Sequence, residues 1–242
     1  MVTHPVKCTL KQLQELLRRH RLLLLAAGRS SLPGVAETVA GGAIRGSWWG
    51  HPEGNAIFNL VNELADWEET LTCKLISGKQ TFVHRELWPA LWRAATGEVE
   101  ERLPDSAEAR ALLAKVRKAG AARPSPQERA AARELEAALV VATRSIHTES
   151  GRHETELVGW NELIPTPCRD GGAKLSAGEA RFALFAAAFD ASGSVPRKEA
   201  ERWFPWGPRM ASEAIERLIA EKRLRVTTVG RSVTLSRPDA EK

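Results

Sequence analysis

Hydrophobic residues recur along most of this chain at the three- and four-residue spacing of helices, and in a few stretches they alternate as strands do. Leu10, Leu13, Leu16, Leu17 and Leu24 predict a helix running from Thr9, a fair N-cap, to Ala27, with Gly28 as its stop. The stretch from Arg29 to Pro52 is loop-rich, with Pro33, Gly34, Gly41, Gly42, Gly46 and Gly50, around a short helix at Val35 to Ala40. Ile57, Phe58, Val61, Leu64 and Ala65 share one face of a helix from Asn55 to Trp67. The period then changes. Thr70 to Leu75 and Lys79 to His84 predict a hairpin about Ser77-Gly78, and Leu87, Leu91 and Trp92 return to helix over Glu86 to Ala95.

The second half follows the same logic. Glu98 to Asp105 is a charged connection, and Ser106 to Ala119 and Pro126 to Thr148 predict two Ala-rich helices in an antiparallel pair. Ile164 to Gly172, with Pro165, Pro167 and two glycines, predicts a linker. Ser176 with Glu179 three residues on is a capping box, opening a helix whose apolar face carries Phe182, Leu184, Phe185 and Phe189. A short helix from Pro196 to Trp203 and a third from Pro208 to Glu221 follow. Leu224 to Val229 and Ser232 to Leu235 then form a hairpin about Gly230-Arg231. Three helices and a two-stranded hairpin are the order of a winged helix-turn-helix.

The expected fold class is therefore mainly α with small β-hairpins, an α+β chain ending in a winged helix. The expected domains are a helical domain with a hairpin at 1–100, a helical hairpin at 101–163, a linker at 164–173 and a winged helix at 174–238. Helix, helix, hairpin and helix near the N-terminus is also the inventory of a second winged-helix-like unit. No repeated sequence block of 20 to 50 residues is legible.

Charge changes the picture in one respect. The 242 residues carry a formal net charge of +5, and most of that surplus falls in the last third. Lys222, Arg223, Arg225, Arg231 and Arg237 follow one another with no intervening carboxylate, a strip that suits a phosphate backbone. Arg209, Ser212 and Arg217 would project from the third helix toward base edges, although Glu213 and Glu216 share it. The partner expected is DNA, single-stranded or damaged DNA included. Cys8, Cys73 and Cys168 have no CxxC or CxH spacing, which argues against a disulfide framework and a zinc knuckle. No metal, cofactor, signal peptide or membrane span is expected, and the location expected is the cytoplasm. The run Leu22 to Ala27 is far too short for a bilayer about 30 Å thick.

Three constellations could carry chemistry. Arg45, Trp48, Trp49 and His51 sit in a glycine-rich loop, where adjacent tryptophans either stack an extruded base or plug the core. Lys74 and Lys79 flank the hairpin turn, with His84 and Arg85 at its far end. A desolvated lysine there could attack an aldehyde carbon, as in an abasic-site lyase, or simply be a solvated surface group. His147 and Glu149 lie near His153 with spacing unlike a zinc motif, and form a candidate acid/base pair or a solvated helix end.

The blocks Gly46 to Pro52 (GSWWGHP), Lys79 to Pro89 (KQTFVHRELWP) and His147 to His153 (HTESGRH) resemble a bacterial family of uncharacterised proteins, over roughly residues 10–165. That resemblance implies no particular activity. The C-terminal part is similar to winged-helix DNA-binding domains, a fold from which some DNA glycosylases are built. The functional expectation is a DNA-binding protein of repair or defence, with glycosylase or abasic-site lyase chemistry as the enzymatic version. A non-enzymatic DNA-binding regulator is the alternative.

Overall fold

The computed structural model describes residues 8–147, 153–230 and 232–238, with the backbone alone at 145–147 and 153–154. The chain is mixed α+β, and its small sheets recur in one topology. The first unit comprises α1 (Leu10–His20), β1 (Leu22–Leu24), α2 (Val35–Ala40), α3 (Gly54–Ala65) and the hairpin β2 (Thr70–Ile76) and β3 (Lys79–His84). After α4 (Trp88–Thr96), a second unit runs through α5 (Ala107–Ala119), β4 (Ala121–Ala122), α6 (Arg129–Ala137), β5 (Ala142–His147) and β6 (His153–Val158). Two connecting helices follow, α7 (Trp160–Leu163) and α8 (Thr166–Ala173). The third unit is α9 (Ala177–Ser192), β7 (Ser194–Pro196), α10 (Arg197–Ala200), α11 (Gly207–Ala220), β8 (Arg225–Val229) and β9 (Ser232–Ser236). Each sheet is antiparallel and orders its strands first, third, second: β1-β3-β2, β4-β6-β5 and β7-β9-β8. In each unit a helix leads into a short edge strand, a further helix follows, and a hairpin closes the sheet.

Each unit also gathers a core. Leu13, Leu17, Ile57, Val61, Leu64 and Phe82 form the first, and Leu112, Leu113, Val116, Leu135 and Leu157 the second. The third is aromatic: Phe189 lies 4.8 Å from Trp203, Phe185 4.7 Å from Phe204, and Phe204 stacks on Trp206 at 4.6 Å. This third core continues onto the first sheet, whose Leu22, Leu24, Leu71 and Val83 belong to it.

That two-sided burial corrects the long first helix. α1 ends at His20 because Arg21 adopts a left-handed conformation at φ 63° as its C-cap. Leu22, Leu23 and Leu24 then form a strand, with Leu23 facing the first core and its neighbours the third; all three are fully buried. A strand buried on both faces carries a continuous apolar run, which a helical pattern can imitate over one turn. Pro126 to Thr148 is likewise not one helix. A single 3-10 turn at Pro126–Glu128 leads into α6, which stops at Ala137, and Leu139 sits at φ 55° before the chain extends into β5. The stretch expected as a linker, 164–173, carries α8, pressed so close to α4 that a Cβ on Gly172 would lie 2.5 Å from the carbonyl oxygen of Pro89. The second helix of the last unit is shorter than Pro196 to Trp203, covering only Arg197–Ala200: Pro196 belongs to β7, and the helix is already capped at Glu201. The helix at Glu86 begins as a 3-10 turn, Arg85–Leu87, before α4.

Polar contacts join the units. Ser77, in the turn of the first hairpin at φ 51°, donates its backbone N–H to Trp203 O at 2.6 Å. Glu199 on α10 accepts from the backbone N–H of Ser31 at 2.8 Å and from its hydroxyl at 3.0 Å. Lys74 on β2 meets the buried carboxylate of Glu136 on α6 at 2.7 Å. Arg102, in the 3-10 turn Val99–Arg102, donates to Ala94 O and Ala95 O at 3.2 and 2.7 Å and to Ala138 O at 2.7 Å.

The entry to α6 should respond to acid through Glu128. Glu128 bonds Lys115, and its carboxylate accepts from the Ser125 backbone N–H at 2.9 Å. Lys115 first, and Ser125 second, pull its carboxyl down from 4.5 to about 2. A depressed acid contributes stability above its unfolded pKa and loses it as pH falls through the folded one. The window is therefore pH 4.5 down to about 2. Urea midpoints measured across that window should fall less steeply for Glu128→Gln than for the parent chain. Parallel pH profiles would remove Glu128 as a contributor.

Candidate nucleic-acid interface

The tryptophan pair is divided by its backbone. Ser47 leads into a 3-10 turn, Trp48–Gly50, and Gly54 follows so closely that a Cβ there would lie 3.1 and 3.2 Å from the carbonyl oxygens of Trp49 and Trp48. The indoles stack at 4.1 Å with 24° between their planes. Trp48 is half-buried against the first core, while Trp49 is 63% exposed and lies 5.4 Å from the exposed ring of Phe58 on α3. The pair is thus split: Trp48 packs on the first core and braces the loop, and Trp49 presents a π-face to solvent. His51 does not reach outward. Its Nδ1 accepts from the backbone N–H of Glu53 at 3.2 Å and so fixes the loop. Arg45 is exposed in the same loop.

Phe58, expected on the apolar face with Ile57 and Val61, is instead 37% exposed and lies toward the polar side of α3. Asn55, Asn59 and Asn62 stand at i, i+4 and i+7 on α3, all exposed, and none of their amides has a hydrogen-bond partner among the described residues. Only the apolar periodicity of this helix was read; the same spacing in its polar residues was the available signal.

The hairpin lysines do not converge. Lys74 pairs in register with Gln80, so Lys79, one residue away, faces the other side of the hairpin. Lys74 is held by Glu136, and the Lys79 ammonium donates to Ala27 O at 2.8 Å. An amine waiting to attack an opened sugar is not what either position presents: both are joints between elements. His84 is only 4% exposed, with its Nε2 3.5 Å from Glu69 Oε2 and its ring 5.9 Å from Trp67. Arg85 is exposed, 3.8 Å from the other oxygen of Glu69. Burial opposes ionisation of Glu69, but Arg18, bonded at 3.1 Å, and His84 outweigh it and hold the carboxyl below its ordinary range. Arg18 also covers the Trp67 ring at 4.7 Å. These groups weld α1 to the hairpin.

His147 is not on a loop after a helix; it ends β5, opposite His153 in register. Its side chain, and all of Glu149 and Arg231, lie outside the described residues. Cys73 is buried, and that burial, with Glu136 nearby, pushes its thiol up to about 12, so it is no nucleophile at neutral pH. No group of three or more His, Cys, Asp or Glu among the described residues could hold a metal ion, and no described helix is long and apolar enough to cross a membrane.

The basic residues of the third unit fall into two sets. On α11 the inward face is Ala211, Ala214, Ile215 and Leu218. The outward face is charge-compensated: Arg209 lies 3.5 Å from Glu213, and Arg197 of α10 reaches Glu216 at 2.7 Å and the hydroxyl of Ser212 at 2.9 Å. Arg217 turns aside, 4.1 Å over the Phe182 ring and 2.8 Å from Glu221. The hairpin is different. Every residue of β8 is exposed, and Lys222 enters the hairpin at φ 58°, exposed like Arg223 and Arg225. Sequence reasoning divided the work between helix and hairpin; the structure pairs the helix arginines with carboxylates of their own unit and leaves Lys222, Arg223 and Arg225 exposed on the hairpin.

No family model, curated protein or solved structure matches this chain.

Proposed function

We propose that the chain is a DNA-binding protein built from three tandem winged-helix units, each of the order helix, strand, helix or turn, helix, hairpin. The observation that carries this reading is the recurrence of one sheet order, first-third-second, in all three units, with a basic and exposed hairpin left on the last. The units are not equivalent. The first wing is occupied, its turn bonded to Trp203 and Arg202. The third wing is open, and it supplies the phosphate contacts through Lys222, Arg223, Arg225 and Arg231. The first unit supplies base contacts through Trp49, Phe58 and the three asparagines of α3, because an exposed π-face stacks any unpaired base and an asparagine amide can pair with an adenine edge.

Fluorescence anisotropy with a labelled single strand and its duplex tests this. Trp49→Ala should cost about 1–3 kcal/mol on the single strand and little on the duplex, and should lower Tm by no more than a few degrees, since the ring is largely solvated and loses only its contacts with Trp48 and Phe58. Absence of binding to either DNA would overturn the proposal, and a larger fall in Tm without loss of single-strand affinity would make Trp49 structural. The catalytic version separates by borohydride trapping on an abasic duplex. A covalent adduct lost in Lys74→Ala or Lys79→Ala would replace the binding-only reading; none should form.

A further inference from the structure

The C-terminal end of α9 holds an excess of guanidinium groups drawn from distant parts of the chain. Arg21, the left-handed cap of α1, donates to Asp190 at 2.5 Å. Arg223, at the base of the wing, stands 3.8 Å from the same carboxylate oxygen, and Arg237, just beyond β9, stands 3.9 Å from the other. Arg223 also lies 5.6 Å from the Phe182 ring that Arg217 covers. Among the described residues, Arg21, Arg223 and Arg237 share the single carboxylate of Asp190, while Arg217 is answered by Glu221 and Glu179, so two positive charges at Asp190 are left over.

The geometry is that of an unfilled acceptor site. A guanidinium has five N–H donors, and a carboxylate offers about four lone-pair positions. Arg21 takes the short bond. Arg223 and Arg237 are attracted to Asp190 from beyond hydrogen-bond distance, and neither has a closer acceptor among the described residues. All three side chains remain between 29% and 44% exposed, so the cluster opens to solvent.

We propose that this cluster is a phosphodiester site shared by the first and third units, in which Asp190 pre-arranges the arginines and a backbone phosphate binds to Arg223, Arg237 and the N–H groups of Arg21 that Asp190 does not use. The inference rests on the DNA-binding reading and adds Arg21, an N-terminal residue, to the surface that the wing begins. Planar guanidinium pairs suit phosphate oxygens because two parallel N–H groups match two acceptors. Asp190 has a second consequence. As a carboxylate beside an incoming phosphate it repels what its neighbours attract, so it holds affinity down while keeping the site in shape.

The test uses the full chain, a labelled duplex and anisotropy over a salt series, with Tm recorded for each variant. Arg21→Gln and Arg237→Ala should each weaken binding about three- to tenfold and reduce the salt slope by about 1. Asp190→Asn should do the opposite and tighten binding by about the same factor, even if it lowers Tm. If Asp190→Asn weakens binding, or if Arg21→Gln and Arg237→Ala leave affinity and slope unchanged while a Lys222→Ala, Arg225→Ala double variant still loses affinity, the cluster is only a joint and the wing reading stands without it. If the parent chain binds no duplex at any salt, both fall together.

Discussion

Replacing Arg102 by alanine should destabilise the chain by about 3 kcal/mol, the range of losing several charge-assisted bonds to partly buried carbonyls. Nothing in the charged stretch from Glu98 to Asp105 advertises this residue. One guanidinium nitrogen serves Ala138 O at 2.7 Å and Leu139 O at 3.3 Å; the other serves Ala94 O, Ala95 O and Gly97 O at 3.2, 2.7 and 3.1 Å. These carbonyls lie at the C-terminal ends of α6 and α4, where helices leave acceptors unpaired and carry partial negative charge. Burial, and Arg181 nearby, press the guanidinium down to about 10 against the pull of Glu98 and Glu101, so it is still charged at neutral pH. Arg102→Lys should recover less than half of the loss, because an ammonium offers three donors from one point and cannot fork between two helix ends. Urea titration of the three proteins measures this. Midpoints that coincide would show that water serves those carbonyls equally well.

The contrast between Arg102 and the lysines of the first hairpin explains what the sequence could convey. Local chemistry was legible. The capping box of Ser176 and Glu179, the turn at Ser77-Gly78, the short helix Val35–Ala40 and the final hairpin depend on neighbours within a few residues, and each stands in the structure. What depends on distant partners was not. Leu22 to Leu24 looks helical until a third-unit core covers its second face. Lys74 looks like a free amine until Glu136 arrives from another unit, and Ile164 to Gly172 looks like a linker until Pro89 and Trp92 leave no room for a Cβ at Gly172.

The repeated topology was hidden for a related reason. Its edge strands read Leu-Leu-Leu, Ala-Ala and Ser-Val-Pro, because the first is buried on both faces and the others are not. The helix before α3 is separated from it by the long Gly41–Glu53 loop, whereas α6 follows its 3-10 turn directly. Shared order of elements therefore coexists with no shared sequence period. The candidate site was legible in part: Trp49 and the wing strip could be named from composition and charge, but the Asn55, Asn59 and Asn62 face needed the polar side of a helix to be read as carefully as its apolar side.

The second large effect belongs to the wing. Simultaneous replacement of Lys222, Arg223, Arg225 and Arg231 by alanine should weaken duplex binding about a hundredfold or more near physiological salt and lower the salt slope by about 3–4, since each neutralised phosphate contributes close to 0.9 to that slope. The basis is exposure. β8 is exposed along its whole length, with Val226 and Val229 at 43% and 74%, while its partner β9 anchors the hairpin through the buried Leu235. Lys222, Arg223 and Arg225 are exposed, so Tm should move by no more than a few degrees, in keeping with surface substitutions. The loss should be uniform across DNA sequences, because phosphate contacts position a protein without reading bases. By contrast, Arg209→Ala on α11 should change affinity little, its charge already answered by Glu213 at 3.5 Å. If the quadruple variant keeps its affinity and slope while Arg209→Ala loses both, the outward face of α11, not the wing, carries the contact with DNA.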